Sequence, residues 1–207
     1  QRGADCRQRR KVAGRRVAAE GPHQVQHVGE VAPQHLLVQG GEADRVAGAT
    51  TDAKPVDLAA IEWGTFTDNF LCLYAANNWK MDWFNDGQWQ NITANLRLSA
   101  KAAKIGRCVG LVFDPEPYGD NPWAYPGMNP NRTFAEVEAQ VHKRGAQFMS
   151  ALQAELPNVR LLTFFHQSLF SGLLDKPDVQ DRQKQLSQQH WGLLSAFWNG
   201  ALEAAGP

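Results

Sequence analysis

Three short apolar runs, each followed by a longer stretch with helical spacing, restrict the fold of this chain more than any other feature. "NFLCLYAAN" (69–77) is apolar and aromatic-rich and ends in Asn-Asn, which reads as a buried strand. In the following "DGQWQNITANLRLSAKAAKIG", Trp89, Ile92, Leu96, Ala100 and Ala103 recur at helical spacing, and Gly106 is the expected stop. "RCVGLVFDPE" (107–116) is the second strand, apolar at consecutive positions as in a parallel strand covered on both faces. Thr133 and Glu136 form a capping box for a long second helix. Phe134, Val137, Val141, Phe148 and Leu152 mark its buried stripe, and Pro157 closes it. "VRLLTFFHQSLF" (159–170) is a third strand. A polar loop through "DKPDVQDRQ" leads to a last helix over 185–207, with Leu186, Leu193, Leu194, Phe197, Ala201 and Leu202 on one side. Strand and helix in strict alternation are the signature of parallel βαβ units. The fold class is therefore α/β, either an open doubly wound sheet or a partial (β/α)8 TIM-like barrel left incomplete at three units. No glycine-rich phosphate loop follows any strand, which disfavours a nucleotide-binding sheet, and no cofactor is expected.

The alternation starts only after residue 52. Residues 1–50 hold no Phe, Trp, Tyr, Ile, Met, Asn or Ser and are built from Arg, Ala, Gly, Val and Gln. So few large apolar side chains cannot build an ordinary core. Three readings of residues 1–52 are open: a disordered basic tail, a poorly packed extension, or a non-native segment translated from a shifted frame of GC-rich DNA. The missing residues mostly need AT-rich codons, and natural linkers favour serine, so the frame-shifted reading leads. Residues 53–207 are the organised domain. The chain begins with Gln rather than Met, and a fragment of a longer protein is expected.

Charge and cysteine content exclude several classes. Acidic and basic residues balance at 21 each, so no nucleic-acid partner is expected. No apolar run reaches the ~18 residues of a membrane span, so no membrane partner is expected either. No signal peptide is visible, and location stays open, a secreted or periplasmic parent included. The three cysteines, Cys6, Cys72 and Cys108, show no metal-ligand spacing.

The chemistry concentrates where the second strand ends, in "GLVFDPEPYGDNPW" (110–123). Residues two apart on a strand share a face, so Val112, Asp114 and Glu116 lie on one side and Leu111 and Phe113 on the other. Pro115 and Pro117 lack an N–H and end the pairing. If Leu111 and Phe113 pack on helices, the carboxylates face the C-terminal mouth of the sheet, where parallel barrels build active sites. Two close carboxylates repel, which leaves one as an acid beside an ionised partner, a division suited to work at a glycosidic oxygen. Tyr118, Trp123 and Tyr125 crowd the next loop, and Trp79, Trp83 and Phe84 crowd the loop after the first strand. Flat aromatic faces and Asn or Asp side chains suit a sugar. His166 and Gln167 end the third run and could bind substrate hydroxyls; a loop-bonded rim histidine is the equal alternative.

The apolar strand, Asp114-x-Glu116 and aromatic loop resemble the fourth-strand motif of chitinase-type (β/α)8 glycosidases. The longer pattern AAK-x-G…G-x-x-FDPE-x-Y resembles uncharacterised bacterial glycosidase-like barrel proteins, over roughly residues 62–206. The resemblance implies Glu116 as proton donor, Asp114 as its orienting partner and a carbohydrate substrate. The chitinase signature has a further Asp where this chain has Val112. Trp79, Trp83, Tyr118, Trp123, His166 and Gln167 are the expected substrate-binding residues, and no metal is assigned. Two alternatives stand beside this: a non-catalytic or degenerate carbohydrate-binding fragment, and a metal-dependent barrel hydrolase or isomerase using Asp114, Glu116 and His166. With three strands the sheet edges stay open, so self-association through an edge is expected, and the truncated chain itself should be inactive.

Overall fold

A computed structural model describes residues 55–74, 80–117, 119–165 and 167–206, all within one compact unit, residues 32–207. The expectations for residues 1–52 lie outside the described residues. Helix α1 (Pro55–Ala60) leads to strand β1 (Phe70–Tyr74), helix α2 (Asp86–Ile105), strand β2 (Gly110–Asp114), helix α3 (Phe134–Gln153) and strand β3 (Arg160–Thr163). A short 3₁₀ turn (Gln167–Phe170) and helices α4 (Ser171–Leu174), α5 (Val179–Leu186) and α6 (Leu194–Ala204) complete it. The strands form one parallel sheet in the order β1-β2-β3, alternating with helices. The fold is therefore α/β, as the alternation of patterns requires.

The register explains which side chains are buried. Leu71, Leu111 and Leu161 stand side by side, as do Leu73, Phe113 and Thr163. This face carries the core. Phe113 touches Phe148 of α3 at 5.1 Å and Phe197 and Trp198 of α6 at 6.2 and 5.7 Å between ring centres. Each such buried ring contributes about 1.5–3 kcal/mol through area removed from water. The opposite face holds Cys72, Val112 and Leu162 in register. Cys72 and Val112 are only half-buried and Leu162 is 50% exposed. Among the described residues, α3 packs on both α2 and α6, and these helices cover the face of Leu111 and Phe113; on the other face of β2, Gly110 and Asp114 are buried and Val112 is half-buried.

Local signals set the helix ends. Asn85 caps α2, its side chain accepting the Gln88 N–H at 3.0 Å. Gly106 follows α2 as expected, but the left-handed turn residue is Arg107, with φ 56°. There the Cys108 N–H reaches Ala103 O at 2.8 Å and the Arg107 N–H reaches Lys104 O at 3.1 Å, a Schellman ending without its usual glycine. The Arg107 guanidinium donates to the carbonyls of Ala59 and Ile61, which ties the α1 segment to this turn. The capping box of Thr133 and Glu136 is formed at the start of α3. The stripes expected on α2 and α3 are buried, except that Phe134 is only partly so.

Two boundaries differ from the sequence expectation. The third strand is four residues long, because the Thr163 hydroxyl donates to Phe165 O at 2.8 Å and Phe165 stacks on Trp191 at 4.8 Å, which bends the chain out of the sheet. The last helix is two helices. Asp178 caps α5 inside the stretch expected to be loop, accepting the Asp181 N–H at 3.0 Å. The chain then turns through 187–193, and a Cβ on Gly192 would meet Leu186 O at 2.0 Å. Leu202, placed on the buried side by spacing, is exposed.

Candidate active site

Asp114 is the last residue of β2 and lies on the face opposite Phe113. Although that face is open around Leu162, Asp114 is only 5% exposed. Its Oδ1 accepts the backbone N–H of Glu116 at 3.0 Å, an Asx turn that spans Pro115. The two carboxylate residues therefore do lie together at the C-terminal end of the middle strand. Glu116 is half-buried. The arrangement serves two ends: it fixes the backbone of Glu116, and it holds two acids where the β2–α3 loop begins.

The loop after β2 is fastened at several points. The Trp123 indole N–H donates to Pro115 O at 2.7 Å, and Asn121 Oδ1 accepts the Trp123 N–H at 2.9 Å. Asn121 Nδ2 donates to His190 O at 2.7 Å, and the Leu193 N–H donates to Trp123 O at 3.0 Å. The loop after β1 is joined to it. The Trp83 indole N–H donates to Pro122 O at 2.9 Å, Asn129 Nδ2 donates to Asp82 Oδ1 at 3.1 Å, and the Arg132 guanidinium lies 3.8 Å from the centre of the Phe84 ring.

Helix α3 locks this assembly from below through Arg144, a side chain that helical spacing alone does not single out. Arg144 is 1% exposed. Its Nε donates to Trp83 O at 2.8 Å, one terminal nitrogen to Gln147 at 2.9 Å, and the other to Asp86 Oδ1 at 2.7 Å. Gln140 Nε2 donates to the same Trp83 carbonyl at 2.9 Å. The guanidinium also lies over the Trp89 ring at 5.1 Å. A buried arginine of this kind is retained only where its donors are matched.

The joined loops form a partly open cavity of about 270 Å³ lined by Lys80, Met81 and Trp83 of the first loop and by Asp120, Asn121, Pro122 and Met128, among others, of the second. It lies at the C-terminal side of β1 and β2, the side where α/β sheets present ligand sites. Neither Asp114 nor Glu116 lines it. Lys80 and Asp120, which do, were not singled out from sequence; their only signal was position in the two βα loops.

Two of the expected aromatic residues lie deep in the structure. Trp83 is 4% and Trp123 2% exposed. Trp83 stacks on Trp89 at 5.4 Å, and Trp123 meets Phe197 edge-on at 5.3 Å. Each indole N–H is anchored to a loop carbonyl, so both residues shape the loops, and Trp83 also forms part of the cavity wall. Trp79, Tyr118 and His166 lie outside the described residues, as does the side chain of Gln167, whose backbone opens the 3₁₀ turn. Among the described residues no group of three or more His, Cys, Asp or Glu could hold a metal ion.

Three carboxylates around these helices have displaced pKa values with opposite consequences. Asp86 is lowered, first by its hydrogen bond from Arg144, and Glu136 is lowered, first by the Thr133 backbone N–H. Glu138, which accepts from Gln183 of α5 at 3.3 Å, is raised by burial. A lowered carboxylate adds stability that is fully present above its unfolded value and is lost as pH falls through the folded one; a raised carboxylate loses stability as pH rises from its unfolded value. Asp86 and Glu136 are therefore expected to cost stability as acidification carries them through their lowered folded values. Glu138 contributes the opposite slope, lost as pH rises from its unfolded value to its raised one. Urea midpoints measured across pH 2–6 for the parent and for Thr133→Ala check this. A Thr133→Ala variant with an unaltered acid limb would remove Glu136 from the explanation.

No family model matches this chain, and no curated protein and no solved structure matches it.

Proposed function

We propose that this unit belongs to a glycoside-hydrolase-like (β/α)8 barrel in which Glu116 acts as acid/base and Asp114 as its partner. One observation carries the reading: a carboxylate pair closes the middle strand of a parallel sheet at the end where both βα loops build a cavity. The strand order β1-β2-β3, which follows the chain order, supports a singly wound sheet. The face with Val112, half-buried, and Leu162, 50% exposed, is the side a closed barrel fills with side chains from further strands.

Hydrolysis needs a second carboxylate about 5–9 Å from the acid, according to mechanism. Asp114 is committed to the Glu116 N–H and suits assistance rather than a stand across the substrate. The 207-residue chain is accordingly expected to show little or no turnover of aryl glycosides. A protein carrying the same unit with additional βα units is expected to hydrolyse them and to lose about 10²–10⁴-fold in kcat/KM on Glu116→Gln. Full turnover by the short chain, or an undiminished Glu116→Gln variant of the longer protein, overturns the assignment. The Asx turn itself favours a second reading, a carbohydrate-binding unit without catalysis in which Asp114 is structural. In that case Asp114→Ala lowers stability, and no form of the protein turns over a glycoside.

A further inference from the structure

We infer that the cavity between the β1–α2 and β2–α3 loops is a binding subsite for a single pyranose ring. The inference rests on the carbohydrate reading and adds a place for the sugar that is separate from Asp114 and Glu116. The argument begins with the polar groups of the lining. Asn121 is held in place from both ends, accepting from Trp123 and donating to His190. Lys80 and Asp120 are different: both are exposed charges in the wall, and neither makes a hydrogen bond or ion pair to another described residue. The remaining wall is apolar, with Met81, Pro122 and Met128, and Met128 keeps about half its surface in solvent.

Ligand chemistry follows from what satisfies all of these at once. The Lys80 ammonium is donor-only and the Asp120 carboxylate acceptor-only. A simple anion would suit Lys80 and be repelled by Asp120, and a simple cation would do the reverse. An apolar ligand would leave both charges to be desolvated without a partner. A zwitterion such as alanine bears both charges at one end and leaves the methionine and proline wall uncovered. A pyranose carries hydroxyls that donate and accept around its rim and a C–H face that lies on Met81, Pro122 and Met128. Size agrees, because about 270 Å³ is below the range of drug-sized pockets and fits one ring rather than an oligosaccharide. The wall is also pre-formed, since Arg144, Gln140 and Asn129 hold the loops in place without a ligand. Ordering cost on binding is thereby reduced.

The test is titration of the 207-residue chain with glucose, xylose, N-acetylglucosamine and alanine, followed by backbone amide NMR. Saturable shifts at Lys80, Asp120 and Met128 with at least one sugar are expected, in the millimolar range. Asp120→Asn and Lys80→Met are each expected to weaken that binding about tenfold with an unchanged thermal midpoint, since neither charge supports the fold. No shift with any sugar, shifts with alanine alone, or sugar binding that both variants keep at parent strength overturns the subsite. The two readings fail separately. Parent-like sugar binding by both variants, together with loss of turnover on Glu116→Gln in the longer protein, removes the subsite and leaves the hydrolase. Sugar binding that depends on Lys80 and Asp120, in a longer protein whose Glu116→Gln variant is fully active, removes the hydrolase and leaves the subsite.

Discussion

Gly200→Ala and Gly145→Ala are each expected to destabilise the chain by about 3 kcal/mol or more, the upper end of what overpacking costs. The two glycines are the points where α3 and α6 cross. A Cβ on Gly200 would lie 1.8 Å from His142 O, 2.7 Å from the His142 carbonyl carbon and 3.1 Å from Ala146 N. One on Gly145 would lie 1.9 Å from Phe197 O, 2.8 Å from its carbon and 3.1 Å from Ala201 N. These are helix backbone atoms and cannot rotate aside, so the whole of α6 must move. That movement pulls Phe197 away from Phe113, Phe148 and Trp123, the centre of the aromatic core. Domains of this size have roughly 5–15 kcal/mol in total, so either variant uses much of the margin. The sign makes the test sharp. Alanine favours a helix over glycine by about 1 kcal/mol where space allows. Gly172 in α4 has nothing within 4 Å of an added Cβ, so Gly172→Ala should be neutral or stabilising. Urea unfolding of the three variants decides it, and a Gly200→Ala chain more stable than its parent would show that the helices are not in this contact.

Arg144→Ala is expected to cost about 3 kcal/mol, with Arg144→Met costing clearly less. Hydrogen bonds to a charged group contribute about 1.5–3 kcal/mol each relative to leaving partners unmatched. Not all of that is lost, because Trp83 O keeps the bond from Gln140 and the exposed Asp86 returns to water. Truncation to alanine also empties the space over the Trp89 ring. Methionine refills that space, and buried ions replaced by apolar residues of similar volume are often nearly neutral. Equal losses for the two variants would instead assign the whole effect to the polar bonds. The same pair reports on the loops: if Arg144 pins Trp83, both variants should alter Trp83 packing against Pro122 and with it the shape of the cavity. Thermal denaturation combined with amide shifts at Lys80 and Asp120 measures both consequences.

Local pattern was enough for much of the architecture. The spacing of Trp89, Ile92, Leu96, Ala100 and Ala103 marks a helix face, and Thr133 with Glu136 marks a helix start, because both depend on residues within one or two turns. The alternation of these helices with apolar runs then selects a parallel α/β sheet. The Asp114–Glu116 pair was legible for the same reason, since period-two geometry and two prolines place both residues at the end of a strand. Exposure of individual rings was not legible. Trp83 and Trp123 look like a binding surface in sequence and are core, because their indole N–H groups meet Pro122 and Pro115 carbonyls from distant or folded-back segments. The bend after Thr163 and the burial of Arg144 likewise arise from contacts between segments far apart in the chain. Lys80 and Asp120 meet around one cavity only after β1 and β2 pair in parallel and bring their loops to the same end of the sheet. Element type and the candidate acids are thus properties of the sequence by itself, since short-range sterics and periodicity set them. Which residues face solvent, which face the core and which share a cavity were decided by tertiary packing, because only the closed structure brings those surfaces together.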